Sequence, residues 1–187
     1  MKRLITTLLV YSIFFSTLIA QTAENTKVKW MSWEEAVEKL KVEKRKIIIA
    51  VYKDNCNWSQ HMEENTLSQS HIAHYLNTQF YPVKFNAGQR AAVEVADKTY
   101  KQVRKSGETY HEFTAFITMG RMSTPTVVFF DENLRLLQPI AGYKSAENFE
   151  MIMTYYSENY YKEVPWSRYQ RSYVPLTARS QQAVKKD

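Results

Sequence analysis

Lys53-Asp54-Asn55-Cys56-Asn57-Trp58-Ser59-Gln60-His61-Met62 holds the only cysteine of the chain. It follows Ile47-Ile48-Ile49-Ala50-Val51-Tyr52, a short β-branched run that is apolar on both faces, as a central strand must be. Beyond it, Met62, Leu67, Ile72, Tyr75 and Leu76 predict a helix, a break near Ser68-Gln69-Ser70 and a second short helix. A strand that delivers one cysteine to the start of a helix is the layout of thiol–disulfide chemistry. Three residues on, where a redox pair carries its second sulfur, the chain has Ser59.

Working outward, Ser32-Trp33-Glu34-Glu35 reads as a capping box. Trp33, Ala36, Val37 and Leu40 continue it as an amphipathic helix to about Lys44. Phe80 to Phe85 is a second strand, and a helical crossover makes it parallel to the first. From Ala91 to Arg104 two patterns compete: alternation around Asp97-Lys98 suits a hairpin, while Ala92, Val95, Thr99 and Val103 suit a helix. Tyr110, Phe113, Phe116 and Ile117 predict a helix from about Thr109 to Met119. Ser123-Thr124-Pro125 leads into the strand Val127 to Phe130, which turns at Asp131-Glu132-Asn133 and returns as an antiparallel strand from Leu134 to Ile140. A last helix runs from Ala146 to about Tyr160, with Phe149, Ile152, Met153 and Tyr156 on one face. Past Tyr161 no period survives, although Trp166, Tyr169 and Tyr173 have the size and apolar surface to pack back on the domain.

The chain of 187 residues is long enough for one domain with a proper core. Met1-Lys2-Arg3 and the apolar run Leu4 to Ala20 form the basic head and apolar body of a secretory signal, expected at residues 1–20. The alternative is an uncleaved anchor, and a membrane partner is expected only in that case. The expected domain is 28–162, followed by a basic, aromatic, partly disordered tail at 163–187 with Arg168, Arg171, Arg179, Lys185 and Lys186. Without Lys2 and Arg3 the formal net charge of +6 falls by two, and a solvated tail accounts for the excess, so nucleic acid is not an expected partner. The expected location is the periplasm or the medium, where structural cysteines come in pairs and a lone one is either inert or reactive. No phosphate loop is visible, His71 and His74 lack a third ligand pattern, and neither a cofactor nor a metal is expected.

The order helix, strand, cysteine turn, helix, strand, helix, Pro strand, antiparallel strand, helix resembles the thioredoxin-like superfamily. Cys56-Asn57-Trp58-Ser59 sits at its cysteine turn and Thr124-Pro125-Thr126 at its cis-proline loop. Cys56-x-Trp58-Ser59 with Met62-Glu63, Leu67, Leu76-Asn77 and Phe80 to Lys84 is similar to exported bacterial thioredoxin-related proteins of the C-x-W-C type, in a C-x-x-S form. The resemblance implies an α/β fold, a central mixed sheet flanked by helices, with an insertion before the cis-Pro loop. Three residues depart from the pattern. Ser59 replaces the second cysteine, Ala50 stands where thioredoxins place a buried acid, and Asn55 replaces the usual Trp. The anterior gradient proteins of the same superfamily similarly show C-x-x-S.

The resemblance implies that Cys56 attacks client disulfides and that Ser59 hydrogen-bonds its thiolate. Thr124 and a cis Pro125 would hold an extended client segment, and Trp58, with Tyr110 among the aromatics around it, would line an apolar groove. Ser59 cannot resolve the adduct, so release needs a client thiol, as in isomerisation, or an external thiol reductant. The expected partners are therefore client proteins with thiols or disulfides. The competing reading is a redox-inactive thioredoxin-fold binding or chaperone-like module.

Overall fold

Ser32 opens the first helix as the sequence predicts: its hydroxyl accepts from the Glu35 N–H, and the Glu35 carboxylate accepts from the Ser32 N–H. The computed structural model describes residues 26–105 and 107–179. The expected signal at 1–20, and residues 180–187 of the expected tail, lie outside them. Helix α1 (Trp33–Val42) leads to strand β1 (Lys46–Tyr52). Cys56 then caps helix α2 (Asn57–Met62), which widens into a π-helical turn (Glu63–Leu67) before helix α3 (Ser70–Gln79) and strand β2 (Phe80–Asn86). Strand β2 is parallel to β1, with Ala50 opposite Lys84.

Residues 91–104 resolve in favour of strands. Strands β3 (Val93–Val95) and β4 (Lys98–Tyr100) form a hairpin around Ala96-Asp97, with Ala96 at φ +51. That turn lacks the glycine or asparagine that announces such hairpins, which is why the alternation alone did not decide it. A second hairpin pairs β5 (Gln102–Lys105) with β6 (Glu108–His111) around Gly107, at φ +85.

The helix expected from Thr109 starts later, because Thr109, Tyr110 and His111 belong to β6 and helix α4 spans Glu112–Ile117. His111 is fully buried and acts as N-cap: Nδ1 accepts from the Phe113 N–H at 3.1 Å, and Nε2 is 2.9 Å from the Ala91 carbonyl. With Nδ1 accepting, Nε2 carries the proton and donates.

Strands β7 (Thr126–Phe130) and β8 (Leu136–Ala141) are antiparallel, and β7 is antiparallel to β1. The sheet order is β2-β1-β7-β8. Helix α5 (Ala146–Ser157) follows and ends three residues before the expected limit, with Asn159 left-handed at φ +63. Alternation along β1 divides the core. Ile47, Ile49 and Val51 face Trp33, Phe113 and Phe130 under α1 and α4. Ile48 faces Met62, Leu76, Phe129 and Phe149 under α2, α3 and α5. The fold is thioredoxin-like, a mixed sheet flanked by helices, and the two small hairpins stand between β2 and α4.

The stretch read as a tail without a period corrects that expectation in part. A 3-10 turn (Tyr160–Lys162) leads to helix α6 (Trp166–Ser172), and Tyr169 is buried among Tyr155, Tyr160, Trp166 and Tyr173. Packing thus continues past residue 162, because the segment lies on polar groups of α5. Glu150 accepts from the Tyr173 hydroxyl and the Leu176 N–H, Thr154 bonds the Tyr169 hydroxyl, and Glu158 pairs with Arg179.

Candidate functional site

The two loops at one end of the sheet meet at a single sulfur. β1 ends at Tyr52, and the turn Lys53 to Asn55 places Cys56 at the head of α2 in extended backbone, φ −111 and ψ 104. From the other loop comes Thr124, whose bond to Pro125 is cis. The Cys56 S–H donates to the Thr124 carbonyl, with Sγ and oxygen 3.3 Å apart across 68 residues of sequence. The Pro125 carbonyl in turn accepts from the Gly142 N–H at 2.8 Å, which ties this loop to the end of β8. Cys56, Thr124 and Pro125 are therefore brought together.

Ser59 lies one turn into α2, and only 8% of its surface is exposed. Its Oγ is buried with no hydrogen-bond partner. A buried hydroxyl normally finds one. If the sulfur ionises, it becomes the acceptor that this hydroxyl lacks. Burial pushes the Cys56 thiol up, but hydrogen bonds from the Ser59 hydroxyl, from Thr124 and from the N–H groups of Ser59 and Trp58 outweigh it, so the pKa lies below the ordinary thiol value.

Trp58 projects outward, 61% exposed. Its ring neighbours are His61, at 5.9 Å, and Tyr143, at 5.7 Å, with His61 and Tyr143 themselves 4.9 Å apart. Tyr110, expected near Trp58, instead lies in β6 opposite Val103. His61 and Tyr143 were not singled out from the sequence. For His61 a signal existed, since i,i+3 spacing from Trp58 places the two on one helix face. Tyr143 comes from a loop 82 residues beyond His61 and gave none.

Behind Ser59 opens a cleft of about 250 Å³ that reaches Lys84 and Glu63. Ala50, opposite Lys84 in the register, offers no carboxylate there. Lys84 Nζ is instead held 3.1 Å from the Glu63 carboxylate and lies over the Tyr52 and Trp30 rings. His71, weighed above as half of a metal pair, sits 3.2 Å from the Glu150 carboxylate.

Fold and site together define a thioredoxin-fold domain that presents one cysteine against a cis-proline loop. The chain belongs to the thioredoxin-like domain family, whose model matches residues 33–157. Among solved structures it is similar to a DsbH oxidoreductase, 18% identical with a TM-score of 0.54 over 75% of this chain and 92% of that one. A thioredoxin-fold protein from Helicobacter pylori is 14% identical, with a TM-score of 0.52 over 67% of this chain and 82% of that one. At such identities the likeness is one of fold. Spermatogenesis-associated protein 20 of Rattus norvegicus is 33% identical over 93 residues, and its Homo sapiens counterpart 31%. The match covers 49% of this chain but only 12% of those proteins.

Proposed function

We propose that this protein is an exported, single-thiol member of its family, of the C-x-x-S form, that exchanges disulfides with client proteins. The observation that carries this reading is the half-buried Cys56, its sulfur 3.3 Å from the Thr124 carbonyl, beside the partnerless Ser59 hydroxyl. The thiolate attacks one sulfur of a client disulfide; an Sγ–S bond forms, the client S–S bond breaks, and the second client sulfur leaves as a thiolate. Ser59 donates to the Cys56 sulfur while it is charged. Thr124 and Pro125 offer backbone to an extended client segment, and Trp58 offers an apolar platform. The chain contains one cysteine, so release requires a thiol from the client or from solution. Export rests on the basic head and apolar run of residues 1–20.

The exposed Trp58, edge-on to His61 and tilted against Tyr143, also favours a second reading, a client-binding module without sulfur chemistry. A non-reducing gel of the native compartment, comparing the natural chain with Cys56→Ala, separates the two. High-mass adducts that vanish in the variant support exchange. Their absence, with client co-purification retained in the variant, supports the binding module.

A further inference from the structure

If Cys56 captures clients as proposed, something must free it, and the cleft behind Ser59 has the chemistry to hold that agent. We infer that this cleft binds the releasing thiol, a small molecule bearing both an ammonium and a carboxylate group. The inference rests on the exchange reading above. Its walls carry both signs of charge, Lys53 and Lys84 against Asp54, Glu63 and Glu64. A thiol of one sign meets like charge on one wall, whereas a zwitterion finds a partner on each. The volume of about 250 Å³ suits a molecule of amino-acid size. Ser59 belongs to both places: it lines the cleft and flanks the sulfur, and its buried Oγ has no partner of its own.

The chemistry balances with two molecules of the thiol, R–SH. The first, as thiolate, attacks Cys56 Sγ: the R–S–Sγ bond forms, the Sγ–client bond breaks, and the client sulfur leaves with the electron pair and takes up the proton that R–SH released. The second attacks the sulfur of the bound R group, giving R–S–S–R and the free Cys56 thiol. The client is reduced by two electrons, and two R–SH are oxidised to one disulfide.

The test loads Cys56 of the whole chain with 2-nitro-5-thiobenzoate and follows its coloured release. L-cysteine and the uncharged 2-mercaptoethanol are compared at matched thiolate concentrations. Release is expected to saturate with L-cysteine and to stay linear with 2-mercaptoethanol. Lys84 is held by Glu63 and two rings, so the variants are Lys53→Met and Glu64→Gln. Each is expected to raise the half-saturating L-cysteine concentration about fivefold or more, with the 2-mercaptoethanol rate unchanged. Linear release with both thiols, or variants that leave the L-cysteine curve unmoved, overturns the inference and leaves the exchange reading standing. A Cys56 that cannot be loaded in the folded chain overturns the exchange reading itself.

Discussion

At Cys56 the charge on the sulfur is decided by burial against hydrogen bonding. Burial disfavours the thiolate, and the donors around it, Ser59 foremost, more than offset that. A pKa depressed on folding means that folding favours the charged form. Its contribution to stability is present above the unfolded thiol value of about 8.5 and is lost as the pH falls through the folded value. Alkylation of the folded chain by iodoacetamide is therefore expected to titrate at a lower pH than alkylation of the unfolded chain. Ser59→Ala removes the leading donor and should move that midpoint upward. A midpoint that stays in place would assign the depression to Thr124 and the backbone N–H groups.

Among the elements, α5 does more than cover the sheet. Glu150, Thr154 and Glu158 recur at four-residue spacing and form a polar stripe on which the segment from Pro165 to Arg179 is laid. Glu150 is 5% exposed, among the apolar neighbours Phe149, Ile152 and Met153. Its partners are the Tyr173 hydroxyl at 2.5 Å, the Leu176 N–H at 2.9 Å and the His71 ring at 3.2 Å. Glu150→Gln weakens bonds to a buried charge, and urea unfolding should show a loss of about 1–3 kcal/mol. Hydrogen exchange at Leu176 should rise with it.

The same elements set the response to alkali. Burial first, then the Glu150 carboxylate, holds the Tyr173 phenol well above its ordinary range; burial likewise raises Tyr75, and pushes Tyr156 up to about 12. Neutral phenols are thus favoured by folding. That stability is fully present below the unfolded value of about 10 and is lost as the pH rises through the folded values. The melting temperature should fall steadily above that pH, and Tyr173→Phe should blunt the fall.

At the scale of the whole molecule, the sheet order β2-β1-β7-β8 brings Cys56 and Thr124 together, because β1 and β7 are neighbours. The C-terminal segment belongs to the same body: Tyr155 meets Trp166 and Tyr169, and Tyr169 is 4% exposed. A chain ended after Lys162 leaves Glu150 and Thr154 without these partners. It should melt below the full chain, and an unchanged melting point would show that the segment adds nothing to the fold.

The order of elements was legible in the sequence for a local reason. The Ser32 box, the period of α1 and the apolar run of β1 are properties of neighbouring residues, and so is the arrival of Cys56 at a helix start. Of the hairpins at 93–111, the first was only one of two competing patterns, since Ala96 sits in a turn whose signature residues are missing, and the second was hidden because His111 caps a helix by tertiary burial. The segment after Tyr161 lacked a period because its hold on the protein is a set of single polar contacts with α5. At the site, the sequence by itself determined that one thiol stands at the head of a helix with a serine three residues on. Only the tertiary structure decided what that thiol meets. Thr124 is 68 residues away, and the cleft walls come from three separate stretches, so their convergence depends on strand register, which no local pattern encodes.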